Sequence, residues 1–109
     1  MTNGSANVVI VAYKPKPGKL PDLLQLTGEH LPLLRAEGLA TDMAETVVQA
    51  ADGTVVEIFE WAEGGAERAH QNPAVRALWD RYWAVCDMVR LADVPEAAQM
   101  FAGFHRLEL

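Results

Sequence analysis

His70 is the residue of this chain best placed to do chemistry. It lies between a strand ending in tryptophan and an aromatic helix, just before the helix start marked by Asn72 and Pro73. An imidazole titrates near neutral pH and could act as a general base on an acidic proton. The plainer role for His70 is a helix-end histidine that hydrogen-bonds the turn.

The remaining candidates are binding residues. Trp61 closes a strand, where a cavity mouth would lie. Trp79 and Trp83 are one helical turn apart and share a side, which would give a flat wall for an aromatic substrate; the same spacing also serves a core or a dimer contact. Asn7 and Tyr13 stand at the two ends of the first strand, as polar contacts to a substrate oxygen or as solvated edges. His105, between Phe104 and Arg106, could face the cavity or stay half exposed. His30 falls on the polar side of the first helix and is expected to be solvated. Glu57 could be a buried carboxylate that orients His70 or His105, and strand parity does not choose its face. No histidine or carboxylate pair has a spacing that demands a metal, and none is expected. Cys86, on an apolar helix face, is a small core residue.

The chain that must position these groups has 109 residues, enough for one domain covering 1–109. Half of it is hydrophobic and 22% is charged, a globular composition. A domain of this size has one core and little room for a large private cavity. Part of the wall of any sizeable site is therefore expected from a second subunit. A net charge of -6 and a pI of 4.9 argue against nucleic acid or an anionic membrane as partner. A single cysteine excludes an internal disulfide. Met1 to Ala6 lacks the apolar core of a signal peptide, and no apolar stretch approaches the ~20 residues of a membrane helix. A cytoplasmic location is expected.

Asn7 to Tyr13 is an apolar, β-branched strand stopped by Lys14-Pro15-Lys16-Pro17-Gly18. Leu20 to Glu37 reads as a helix with Leu20, Leu23, Leu24, Leu31 and Leu34 on its apolar face, a kink at Gly28 to Pro32 and a cap at Gly38. Thr41–Ala50 and Thr54–Trp61 read as a hairpin turned at Ala51-Asp52-Gly53. Gly64-Gly65 precedes a short helical segment, Ala66 to Gln71. Asn72 then caps a helix to about Arg90, with Val75, Leu78, Trp79, Tyr82, Cys86 and Val89 on one face. Asp93 and Glu96 have capping-box spacing for a brief helix ending near Met100. Phe101 to Leu109 closes the domain as a strand. The order β-α-β-β-α-β is that of an α+β, ferredoxin-like unit with helices on one face of an antiparallel sheet.

Both parities of the strands are apolar: Val9, Val11 and Tyr13 against Val8, Ile10 and Ala12. A sheet face left bare would be an unusually large apolar patch. A homodimer paired through the sheet faces removes it, two-fold pairing being the commonest arrangement.

Two stretches carry a family resemblance. Val8 to Leu26 (VVIVAYKPKPGKLPDLLQL) resembles the first strand, Pro-Gly-Lys turn and helix of the antibiotic biosynthesis monooxygenase domain. Phe59-Glu60-Trp61 with Ala69-His70-Gln71-Asn72-Pro73 resembles that family's strand-end tryptophan and Ala-His helix with a nearby proline. The resemblance implies a dimeric α/β barrel. It also implies a monooxygenase of a phenol, quinol or anthrone that uses neither metal nor flavin, and a small aromatic molecule as partner. The family also contains haem-degrading members and members with no known activity. Two departures stand out. Ala74 and Val75 follow Pro73 where many quinol-oxidising relatives have a second histidine. No histidine stands near Asp80, where haem-degrading relatives place their axial ligand, which argues against haem degradation. The alternative is a non-catalytic dimeric barrel that binds a small apolar ligand.

Overall fold

The apolar run near the start of the chain becomes an interior strand. In the computed structural model, which describes residues 6–109, β1 (Asn7–Pro15) pairs antiparallel with strands on both sides. Helix α1 (Leu20–Ala36) follows, then β2 (Thr46–Gln49) and β3 (Val55–Trp61). After these come α2 (Gly65–Ala69), α3 (Pro73–Val85), β4 (Cys86–Val89) and β5 (His105–Arg106). The sheet order is β4-β1-β3-β2-β5, antiparallel throughout. The register runs from Asn7 opposite Trp61 to Tyr13 opposite Val55. Directly opposed residues share a face, so Val9, Val11, Tyr13, Val55, Glu57, Phe59 and Trp61 all point one way.

That face carries the helices. Leu23, Leu26, Leu78, Tyr82 and Val85 pack on Tyr13, Val47 and Val55, and Leu31, Leu34, Val75 and Ala69 pack on Phe59. The turn chemistry is local. Asp52 Oδ1 accepts from the Thr54 amide at 2.9 Å, Gly53 takes φ 96°, and Asn72 Oδ1 caps α3 by accepting from the Val75 amide at 3.1 Å. Gly38 takes φ 72° beyond the end of α1. The helix itself continues through Pro32 as one element of 17 residues.

Four expectations about the elements are corrected. The third helix stops at Val85 rather than near Arg90, because Cys86 turns extended (φ -153°) and Cys86–Val89 pairs with the outer edge of β1. No glycine or proline marks that stop; a non-local ladder sets it. Residues 41–45 leave the hairpin, so β2 begins at Thr46; the Arg35 guanidinium holds this arch through the carbonyls of Thr41 and Met43. The brief helix expected after Asp93 is two 3₁₀ turns, Leu91–Asp93 and Pro95–Ala98. Its capping residues are engaged elsewhere, Asp93 with Arg90 and Glu96 with the Ala51 amide. Only His105 and Arg106 of the last segment form a strand, beside β2.

The second sheet face is therefore not bare over its whole width. Val94, Ala97 and Phe104 lie on Ala12, Val48, Val56, Ile58 and Val89. Val8 and Ile10 remain about half exposed, at 50% and 47%. Among the described residues no helix is long and apolar enough to cross a membrane.

Gly65 marks the tightest backbone approach. A methyl group there would overlap the Leu39 carbonyl, which already accepts from the Ala62 amide. Gly65→Ala is expected to lower stability by about 1–3 kcal/mol in urea unfolding. Gly103→Ala, which meets open space, should stay within about 0.5 kcal/mol of wild type. Equal midpoints for the two variants would contradict this packing.

Candidate functional site

Helix α1 turns Leu23, Leu26, Thr27, His30, Leu31 and Leu34 inward, at alternating three- and four-residue spacing. His30, expected in solvent, is instead 3% exposed. Its ring meets Phe59 and Tyr82 edge-on, each with centroids 5.6 Å apart. It also reaches the fully buried Glu57 on β3, with Nδ1 3.0 Å from Oε1. Glu57 thus orients His30, and neither His70 nor His105.

The hydrogen-bond pattern fixes the tautomer of His30. The carboxylate accepts, so Nδ1 donates; the Trp79 indole Nε1–H then donates to Nε2 at 3.0 Å. Tyr13, buried, donates its hydroxyl to Glu57 Oε1 at 2.9 Å and stacks on Tyr82 with centroids 4.9 Å apart. A chain of bonds therefore runs from β1 through β3 and α1 to α3.

Burial opposes ionisation of Glu57, but its interactions with His30, Glu45 and Tyr13 outweigh that and hold its carboxyl below the ordinary range. Glu45 behaves in the opposite way. Burial and the neighbouring Glu57 push it up to about 8. Its Oε2 is buried with no hydrogen-bond partner among the described residues. Of the two carboxyls, Glu45 is the one whose protonated form is favoured. Burial and the Glu57 charge also raise the phenols of Tyr13 and Tyr82, so both stay protonated.

Beside this network lies a cavity of about 270 Å³. The sheet supplies Val11, Tyr13, Phe59, Trp61 and Met88; α1 supplies His30; α3 supplies Trp79, Tyr82 and Trp83; and His70 comes from the end of α2. Trp79, Tyr82 and Trp83 share one side of α3 by their three- and four-residue spacing. His70 is exposed, with Nδ1 2.7 Å from the Ala66 carbonyl. A carbonyl only accepts, so Nδ1 carries the hydrogen; in the neutral ring Nε2 is then the acceptor, and it has no partner among the described residues. The ring stands edge-on to Trp79 at 5.1 Å. The Tyr82 hydroxyl is buried and likewise has no partner among the described residues.

Of the residues singled out in the sequence, His70, Trp61, Trp79, Trp83 and Tyr13 border one cavity. Two do not join them. Asn7 lies at the outer end of β1, in a separate cleft with Glu63, Gly64 and Glu67. His105 is exposed on β5, opposite Gln49, because β5 adds at the β2 edge, away from the cavity. His30, Glu57, Glu45 and Tyr82 complete the cluster. Among the described residues no group of three histidine, cysteine, aspartate or glutamate side chains is arranged to hold a metal ion. Cys86 is buried, its thiol donating to the Tyr82 carbonyl. Comparison with family models, with curated proteins and with solved structures finds no match for this chain.

The protonated Glu45 has a signature in stability. The unfolded chain loses this proton near pH 4.5 and the folded protein near pH 8. Stability is therefore expected to fall as pH rises between about 4.5 and about 8. Glu57 acts with the opposite sign: its depressed pKa gives stability that is lost only in acid, below this window. Thermal unfolding across the window should show a declining Tm in wild type and a flatter profile in Glu45→Gln. Equal slopes in the two proteins would refute the raised pKa of Glu45.

Proposed function

We propose that this chain is a dimeric, ferredoxin-like protein of the antibiotic biosynthesis monooxygenase type, a cofactor-independent oxygenase of a small phenol or quinol. The observation that carries the reading is His70. Its Nδ1–H is tied to a backbone carbonyl, which leaves Nε2 as an acceptor at an aromatic-walled cavity. The cavity volume of about 270 Å³ lies just under the ~300 Å³ at which drug-sized pockets begin. It favours one or two rings over a whole polycyclic anthrone. The strand order β4-β1-β3-β2 supports the ferredoxin-like assignment, and the half-exposed Val8 and Ile10 support pairing through the sheet faces. A lone, buried cysteine suits a reducing cytoplasm.

The chemistry follows from a base beside a flat apolar box. His70 Nε2 takes the phenolic proton, and the phenolate passes one electron to O₂. The radical pair joins through a C–O bond at a ring carbon bearing hydrogen, and the imidazolium protonates the peroxide. Loss of water from the hydroperoxide leaves a quinone. One atom of O₂ ends in the ring and the other in water, so the substrate supplies every electron. Trp61, Trp79 and Trp83 hold the ring.

A second reading, a binding protein without catalysis, draws on the almost wholly apolar wall and on a His30 whose two nitrogens are both engaged. Oxygen consumption with 1-naphthol or a methylhydroquinone separates the two readings. The oxygenase is expected to take up O₂, and His70→Ala to lower kcat by about a hundredfold or more. No uptake by wild type, or unchanged uptake by His70→Ala, removes the proposed activity. Sedimentation equilibrium should give a mass of two chains, reduced to one by Ile10→Lys; a wild-type monomer would exclude the sheet-face dimer.

A further inference from the structure

We propose that Glu57 and His30 act as positioning residues for Trp79, and that this hydrogen-bonded chain sets the shape of the cavity. The proposal rests on the reading of the cavity as the ligand site. Trp79 is only partly buried, and its ring stands between two histidines, with centroids 6.4 Å from His30 and 5.1 Å from His70. An apolar wall cannot by itself choose among the orientations of an indole, because most of the ring surface is equivalent to it. One directional bond does choose: Nε1–H to His30 Nε2 at 3.0 Å.

That bond requires a lone pair on Nε2, hence the hydrogen on Nδ1, and Glu57 is what holds the hydrogen there. Glu57 in turn is fixed by the Tyr13 hydroxyl and by its place opposite Val11 in the ladder. The orientation of a tryptophan on α3 is thus set by the interior of the sheet. The same ring carries the edge contact of His70, so the wall and the candidate base are placed together.

Two substitutions separate positioning from mere structural support. In His30→Asn the side-chain NH₂ can take the place of Nδ1–H and keep the bond to Glu57, but nothing accepts from Trp79. In His30→Gln the longer side chain can carry an acceptor to the position of Nε2, while the bond to Glu57 is lost. Positioning predicts a crossed result. His30→Asn should weaken binding of 2-naphthol about tenfold, at the upper end of what one hydrogen bond contributes, yet be the more stable variant. His30→Gln should bind within about threefold of wild type and be the less stable, because it strips a partner from a buried carboxylate. Affinity losses that simply follow stability losses would overturn the proposal.

Nitrogen-15 NMR of the wild-type imidazole gives a check that does not depend on either variant folding. It should show Nδ1 protonated and Nε2 as a hydrogen-bond acceptor; the reverse tautomer would overturn the proposal. If wild type does not bind 2-naphthol, the cavity reading fails and the proposed influence on binding fails with it. The imidazole spectrum still decides the link to Trp79.

Discussion

A carboxylate without access to water sits near the middle of this molecule, and the arrangement around it follows from the need to satisfy it. An ionised group in a protein interior is strongly unfavourable unless donors converge on it. Glu57 draws them from two other elements: Tyr13 on β1 and His30 on α1. Each donor is therefore constrained in rotamer as well as position. Trp79 and Tyr82 then pack or bond to those donors. The cavity is the space left beside this assembly, and its aromatic wall is ordered from the inside.

This arrangement explains why one side of the cavity is rigidly specified and the other is not. Phe59, Tyr13 and Tyr82 are buried, with Tyr13 stacked on Tyr82 and both Phe59 and Tyr82 edge-on to His30, whereas Trp83 and His70 lie toward solvent. An apolar floor with an accessible rim suits a small ring that enters edge first and presents its polar atom outward. The buried polar cluster has little capacity left for a ligand: both nitrogens of His30 are engaged, and the Tyr82 hydroxyl is a buried position at the cavity without a partner among the described residues.

Much of the fold could be read from residue types, because the signals were local. The β-branched run of β1, Asp52-Gly53 in the hairpin and Asn72-Pro73 at the start of α3 all did what their chemistry requires. Where elements depart from their local signals, a distant partner decides the outcome. The stripe Val75, Leu78, Tyr82, Cys86, Val89 fits a continuing helix, and only the open edge of β1 draws Cys86–Val89 out of it. His30 is a different case, since the signal was present. A face drawn through Leu20, Leu23, Leu24, Leu31 and Leu34 leaves the histidine beyond its edge. The set Leu23, Leu26, Thr27, His30, Leu31 and Leu34 follows the i, i+3, i+4, i+7, i+8, i+11 pattern of a helix face and includes it. Glu57 was ambiguous because both faces of β3 are apolar, and parity distinguishes faces only when they differ.

The position of β1 also bears on how the chain can be made. This strand leaves the ribosome before its partners, residues 55–61 and 86–89. Contacts so far apart in sequence form late and slowly. Until Val89 has been synthesised, a strand that is apolar on both sides has at least one open edge, the kind of surface that nascent chains tend to lose to aggregation. Lys14 and Pro15 are its last two residues, and Lys16 and Pro17 follow directly. Two charges and two prolines at the end of such a strand oppose its pairing with another copy during that interval, so the turn serves as a guard in the unfinished chain as well as a bend in the finished one.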